Sequence, residues 1–551
     1  IVNVTSSNFQ SYNFSTGQYD NRNATLRAIG TNCYIFVADD SFSLLGSEPD
    51  KTLTQIKDTF DKIIYPTVTD WFGSVTIPTN FGLPDDKIYI LLLDIRDGLG
   101  GGYVAGYFDS RDLEGNYGNK KPLFYMDLNP GKPGDPGDKN NDFYRTIAHE
   151  FQHMVNFSKH LPSTGRFQED RWVEEGLSGF SEYLYTALVG NDGIGLPPSP
   201  HLSRFLENPN IVLNQNSDNE WFSESTLFRH YGASFLFIYY LQEKFGGSDL
   251  GTKKAFVRSI VDNASVGVNG LNTVLATKGT NFIEVLKNWM IANHLNDITL
   301  NKGLWGYEDK SSRLGSEANR LPIPGNSHTF SGSGLSFIGG EGTILANAGK
   351  YEDINGTGNL NFTFRAHSTG FTPFFATIDF ANGAGIRDVI VDKSLTGSLT
   401  LDLSNFKKVV LVPAVATTDS DISSTFYYSF SGNASKLVLY PIPNPAFSSE
   451  FIIVLKSMAG TIPTDPAVTV TFNNIKSNPE MKPTDGSRTV FVGNYSIPGS
   501  GEGIVTASIG GESSSFSFYS SILKANSLAR LKLKDVELAI SSRLERENAF
   551  L

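Results

Sequence analysis

Ile147-Ala148-His149-Glu150-Phe151-Gln152-His153 is the stretch from which the rest of the chain can be read. Its two histidines are four residues apart, so on a helix both imidazoles leave the same face and can reach one ion. Glu150 follows His149 and is rotated by about 100° on a 3.6-residue turn. It is poorly placed as a ligand but well placed to reach a water beside the ion. Phe143, Ile147, Phe151, Met154 and Val155 give this helix apolar positions that bury it. An ion on its histidine face would then sit in a sheltered cleft. The HExxH spacing is a recognised zinc-peptidase signature, although five residues can match by chance. Two hydrogen-bonded histidines on an ordinary helix remain the alternative at this point. A catalytic zinc needs three protein ligands and one open position.

Downstream lies Arg171-Trp172-Val173-Glu174-Glu175-Gly176-Leu177-Ser178-Gly179-Phe180-Ser181-Glu182-Tyr183-Leu184, with Glu175 22 residues beyond His153. That distance allows one loop and the start of a second helix. These residues resemble the gluzincin metallopeptidases, whose third ligand is a glutamate directly before a glycine and after a tryptophan. The resemblance makes His149, His153 and Glu175 the expected zinc ligands and Glu150 the expected general base. Gluzincins of the aminopeptidase type carry a further glutamate seven residues on, where Glu182 stands. Seven residues return it to nearly the same helix face, where it could hold a liganding imidazole in one tautomer. Glu174 occupies the family's usual asparagine position and is expected to be exposed, or a rim charge, and not a ligand.

Lys87–Ile95 (KIYILLLDI) upstream and Arg229-His230-Tyr231-Gly232-Ala233-Ser234 downstream extend the match to about residues 24–300, similar to the hyicolysin-like branch. Related gluzincins place a tyrosine before a Gly-containing helix to bind the oxyanion. Tyr231 is therefore the expected second donor, with His230 as the alternative. The G-x-M-E-N motif of one exopeptidase family is absent, which favours internal cleavage. A peptidase cleft commonly pairs an extended substrate with a sheet edge. Tyr103, Val104, Ala105 and Gly106, after the glycine-rich turn Gly98–Gly102, are the candidate edge.

The implied fold class is α+β: a zincin-like catalytic domain with a twisted mixed sheet and a helical subdomain, followed by all-β sandwich domains. Residues 24–125 read as strands around one helix, Thr52–Phe72. Ala24–Ala38, Lys87–Ile95, Tyr103–Asp109 and Leu123–Asp127 are the strands. Helical spacing covers Asp142–His160, Trp172–Leu188, Arg229–Phe245, Lys253–Val261 and Phe282–Leu295. After about residue 325 short alternating runs replace it, as in Leu360–Arg365, Lys408–Pro413, Thr425–Ser429 and Phe451–Leu455. The expected units are 1–325 (sheet part to about 140, helical part beyond), 326–437, and 438–551, the last with a second β-rich domain and a tail. Pro441–Pro445 reads as the joint, and Asn526–Glu547 as a helix or strand before the tail.

At 551 residues the chain exceeds one hydrophobic core. Its net charge of −12, without a Lys/Arg cluster, argues against nucleic acid and anionic lipid as partners. No apolar run is long enough to span a bilayer. The expected partner is a protein or peptide substrate, and a host or surface ligand is a further expectation for the C-terminal β domains. The one cysteine, Cys33, precludes an intrachain disulfide and reads as a small buried hydrophobe. The chain starts at Ile1, consistent with a secreted or cell-surface bacterial protein whose signal peptide has been removed. Asp127, Asp135, Asp138 and Asp142 raise calcium as a second cofactor, but their spacing fits no EF-hand and a Pro/Gly turn is the preferred reading. His160, His201, His294, His328 and His367 form no ligand pattern. The competing functional readings are a non-enzymatic adhesin with a peptidase-like core and an exopeptidase.

Overall fold

The computed structural model describes residues 6–98, 103–114, 118–161, 168–190, 195–198, 200–221, 223, 226–308, 321–331, 337–433, 437–442, 450–457, 466–483, 490–498, 501–509 and 512–520. The expected element at Asn526–Glu547 and residues 443–445 of the expected joint lie outside them. The chain is α+β, with one mixed sheet, a helical region and several further sheets.

The first sheet has strands β1 (Ser6–Asn13), β2 (Gln18–Ile29), β3 (Cys33–Ala38), β4 (Ile88–Leu93), β5 (Gly106–Phe108) and β6 (Leu123–Asp127), in the order β1-β2-β3-β4-β6-β5. β1, β2 and β3 run antiparallel, β4 lies parallel between β3 and β6, and β5 is an antiparallel edge. β4 is uniformly apolar because both of its faces are covered. Ile88, Ile90 and Leu92 face the helical core, while Tyr89, Leu91 and Leu93 join an aromatic-rich layer with Phe36 and Tyr125. The run Ala24–Ala38 was expected to be continuous. It is broken at residues 30–32, where the Asp61 carboxylate accepts from the backbone N–H groups of Thr31 (2.6 Å) and Asn32 (2.8 Å).

Among the described residues eleven α-helices lie between the strands of this sheet and after it. α1 (Pro49–Thr59) and α2 (Tyr65–Phe72) are joined through a π turn at Phe60–Ile64, so the expected helix over Thr52–Phe72 is one interrupted rod. α3 (Arg111–Glu114) is a single turn. α4 (Asp142–Lys159) starts where the Asn141 side chain accepts from Phe143 N–H, and packs on β5 and β6. α5 (Arg171–Val189) lies between α4 and α8 (Leu227–Phe245), which also touches α6 (His201–Glu207). α7 (Asp218–Trp221), α9 (Leu250–Val261), α10 (Gly267–Ala276) and α11 (Phe282–Leu295) complete this region. Among the described residues, no helix is long and apolar enough to cross a membrane.

Strands β7 (Asn326–Phe330), β8 (Phe337–Ile344), β9 (Glu352–Gly356), β10 (Asn359–Ala366), β11 (Phe374–Asp379), β12 (Gly383–Asp388), β13 (Thr396–Asp402), β14 (Phe406–Val412) and β15 (Phe426–Asn433) form two stacked sheets. Alternation along the strands divides their side chains. Phe375, Val409 and Leu411 point into the sandwich core. Phe374, Ala376, Val410 and Val412 join the helical core instead, so the five-stranded sheet is buried on both faces. The Tyr351 hydroxyl donates to the Met290 carbonyl (2.7 Å) across this junction. Two smaller four-stranded sheets follow between Leu437 and Ser520, around Ile453, Leu455, Val470, Phe491 and Val505.

Candidate metal centre

α4 and α5 cross so that His149, His153 and Glu175 face one point. The Glu175 Oε2 lies 3.3 Å from His149 Nε2 and 3.5 Å from His153 Nε2. These separations are long for N–H···O hydrogen bonds. Two donors about 2.1 Å from a shared ion at a tetrahedral angle would stand about 3.4 Å apart. Glu175 Oε2 is also buried without a hydrogen-bond partner. An orphaned carboxylate oxygen between two imidazoles is the environment a cation would complete, so the three residues fit a tetrahedral metal.

The far side of each imidazole is held. His149 Nδ1 lies 2.8 Å from Glu182 Oε1, and the other Glu182 oxygen accepts from Arg145 (3.1 Å). His153 Nδ1 lies 3.3 Å from Glu174 Oε1 and 3.2 Å from Ser178 Oγ. The Ser178 hydroxyl proton goes to Gln152 Oε1 (2.5 Å), so its lone pair is left to accept from His153. In its neutral, metal-binding form each ring would therefore keep its proton on Nδ1 and turn the Nε2 lone pair inward. Glu182 lies on the His149 side of the cluster. Glu174 is 5% exposed and lies 3.3 Å from His153 Nδ1, which overturns the expectation of an exposed or rim charge.

The charges balance tightly. Burial opposes ionisation of Glu175, yet the two histidines hold its carboxyl far below the usual range. Burial likewise opposes charge on Glu182, but His149 and Arg145 bring its pKa down to about 2. Burial disfavours an imidazolium at His149, but Glu175 and Glu182 outweigh it and raise its pKa to about 9 without a metal. A bound cation would take that proton's place. Glu150 is buried, and burial raises its carboxyl above the normal value.

The glycine after Glu175 has a steric cause. A Cβ on Gly176 would stand 2.6 Å from Ile238 Cγ1 and 2.7 Å from the Ser234 carbonyl oxygen on α8. α5 and α8 can approach this closely only without a side chain there.

Tyr231 enters from α8, with its hydroxyl 3.4 Å from Glu175 Oε1. The alternative donor, His230, is directed elsewhere. It stacks on Trp221 (5.0 Å, 18°) and bonds the Val212 backbone, and burial pulls its pKa down to about 3. His201, which had no assigned role, stacks on Tyr231 (4.8 Å, 26°). Burial keeps it neutral, with a pKa of about 4, and it feels Glu182, His149 and Glu175. It follows a proline-rich link, 26 residues beyond Glu175, with no spacing signal to reveal it.

The candidate substrate edge is shorter than expected. Tyr103, Val104 and Ala105 precede the strand, and of the four residues only Gly106 lies in β5. The Ala105 carbonyl still accepts from Asp127 N–H (3.0 Å). A Cβ on Gly106 would meet the Tyr125 carbonyl and Thr146 at 2.9 Å, so β5 lies tight against α4. Of the four carboxylates raised for calcium, Asp142 pairs with Arg145 (3.2 Å) and the other three accept from backbone N–H groups. Asp127 accepts from Ile95, Asn129 and Gly131, Asp135 from Gly137, and Asp138 from Asn140. Cys33 is fully buried and its thiol is pushed up by burial.

ShpI, a neutral metalloprotease of Staphylococcus hyicus, is 31% identical over 250 residues, which cover 44% of this chain and 52% of the relative. That likeness supports a metallopeptidase. The chain spans about half the length of that relative. No family model matches the chain. Among solved structures, the glycoside hydrolase domain of Endo-D from Streptococcus pneumoniae R6 aligns over 33% of each chain at 13% identity. Its TM-score of 0.13 is too low to bear on the fold.

Proposed function

We propose that the chain is a secreted zinc endopeptidase with a zincin-like catalytic domain of the gluzincin type, in the hyicolysin-like branch. The catalytic domain would occupy 1–325, with β domains at 326–437 and 438–551. The observation that carries this reading is the orphaned Glu175 Oε2, set 3.3 and 3.5 Å from two inward-facing imidazole nitrogens.

His149, His153 and Glu175 would hold the zinc, and Glu182 and Glu174 would fix the imidazoles. When bound, zinc supplies a Lewis acid that polarises the scissile carbonyl and acidifies the attacking water. Glu150 takes a proton from that water and returns it to the leaving amine nitrogen. The Tyr231 phenol donates to the oxyanion, as an immobile donor aimed at developing charge. The outer edge of β5 would carry the extended substrate. A bacterial setting agrees with the relative's organism, Staphylococcus hyicus.

The decisive variant is Glu150→Gln in the full chain. It should bind one zinc per chain by elemental analysis and lose casein cleavage by about 10²–10⁴-fold. Retained cleavage would remove Glu150 as the base. An adhesin with a decayed core would bind zinc without cleaving casein even as wild type.

A further inference from the structure

Tyr231 can act on an oxyanion only while its phenol stays beside Glu175, and what keeps it there is not α8 alone. One face of its ring is covered by His201, and the edge of Trp221 meets it at 5.3 Å and 80°. Trp221 is fully buried and ends α7, which has only four residues. So short a helix has no stability of its own. Its indole N–H donates to the Gln215 carbonyl, so the ring's position depends on the segment that precedes it.

That segment, 208–217, is clamped from two sides. From α8, the Arg229 guanidinium donates to the carbonyls of Asn208 (2.9 Å) and Asn210 (2.6 Å). From the β-sandwich, Asp421 Oδ1 accepts from the backbone N–H groups of Asn216 (2.6 Å) and Ser217 (2.9 Å). Asn347 donates to Asn214 Oδ1 (2.7 Å), and Asn214 donates to the Asp419 carbonyl (2.9 Å). Asn214 and Asn347 are 0% and 1% exposed. Two buried amides without these partners would each carry a desolvation penalty, so the pairing specifies how the segment docks. Asp421 is exposed and holds a left-handed backbone (φ 60°), a conformation Asp tolerates better than most residues.

We propose that Trp221 is a positioning residue for the Tyr231 phenol, and that Asp421 and Asn347 of the β-sandwich hold Trp221 in place. The sandwich is then part of the scaffold of the hydrolytic site. This rests on the reading of Tyr231 as oxyanion donor.

The test uses the full, zinc-loaded chain and an internally quenched casein-derived peptide. Asp421→Ala should lower kcat about tenfold with KM and zinc content little changed, since small misplacement of a positioned group is enough for such a loss. Asp421→Asn keeps the accepting oxygen and should recover most of the rate. Asn347→Ala reaches the same segment from its buried side and should act in the same direction. In a Tyr231→Phe background, Asp421→Ala should cause no further fall, because the two changes act through one group. If Tyr231→Phe lowers kcat but Asp421→Ala does not, or if Asp421→Ala is equally damaging without the phenol, the positioning role is overturned. If Tyr231→Phe alone leaves kcat intact, the reading of Tyr231 fails first and takes the proposal with it.

Discussion

Removing the Glu182 carboxylate should weaken zinc binding without touching a ligand. In Glu182→Ala, His149 Nδ1–H loses an acceptor at 2.8 Å, and the ring is free to turn its Nε2 off the shared point. Changes to such partners typically cost 10–100-fold in metal affinity, or about 1.4–2.7 kcal/mol. A second cost falls on Arg145, which is 4% exposed. It keeps the Pro197 carbonyl (3.1 Å) and Asp142 (3.2 Å), but the Asp142 side chain is 66% exposed and a weak partner. Stripping one member from a buried pair costs about 3–5 kcal/mol, and the partners that Arg145 retains place the apoprotein near the lower end. Glu182→Gln separates the two effects. Its amide oxygen can still accept from His149, so affinity should fall by less than in the alanine variant.

The assay is a competition titration with a chromophoric chelator, with far-UV circular dichroism as a folding control. Glu182 also stabilises the proton on His149, so its loss weakens the competitor as well as the site. The comparison is therefore cleanest at pH 9 or above, where competition from the His149 proton is small. A folded Glu182→Ala chain with wild-type zinc affinity at that pH would refute the bracing role.

Zinc affinity of the wild type should itself rise about tenfold per pH unit for each proton displaced, the His149 share of that rise ending near pH 9; a flat profile between pH 6 and 8 would contradict the apo charge state. Without metal the sign is opposite. The raised His149 pKa contributes stability that is present below its ordinary value and lost as pH climbs through about 9, readable as a falling Tm of the chelated chain. Gly176→Ala should destabilise the fold by about 1–3 kcal/mol through its clash with Ser234 and Ile238, and should weaken zinc binding through Glu175; an unchanged melt would show that α5 and α8 can separate freely. Glu169 is held protonated by burial up to about 8, while accepting from Gly267 N–H at 2.7 Å. Its stabilising contribution is present below the ordinary carboxyl range and lost as pH rises toward 8, so Glu169→Gln should raise Tm relative to wild type more at pH 9 than at pH 6.

What could be read from the residues is what obeys a period. α4, α5, α8 and α11 were legible to within a few residues because their apolar positions recur at helical spacing, and β4 and β6 because short apolar runs between turns leave few alternatives. α10 was missed: Gly267, Asn269, Gly270 and Asn272 dilute its pattern, and it is ordered by packing through Val268, Leu271 and Leu275. β1 was missed because its inward residues are Phe9, Ser11 and Tyr12, too mixed to alternate cleanly.

The site divides the same way. His149, His153 and Glu182 are linked by helical spacing within α4 and α5, so their faces follow from counting. Glu174 is one residue from the expected ligand Glu175, and on an isolated helix adjacent side chains diverge by about 100°. Counting therefore assigns it to the outside. What brings it inward is the crossing of α4 and α5, which buries more than one face of each helix and places His153 over the seam. The same crossing demands Gly176 and exposes Glu175 Oε2 to both imidazoles. A tertiary angle, unlike a period, has no local signature, and His201, Trp221 and Asp421 are beyond reach for that reason. Each acts on Tyr231 across a gap that only the folded chain closes.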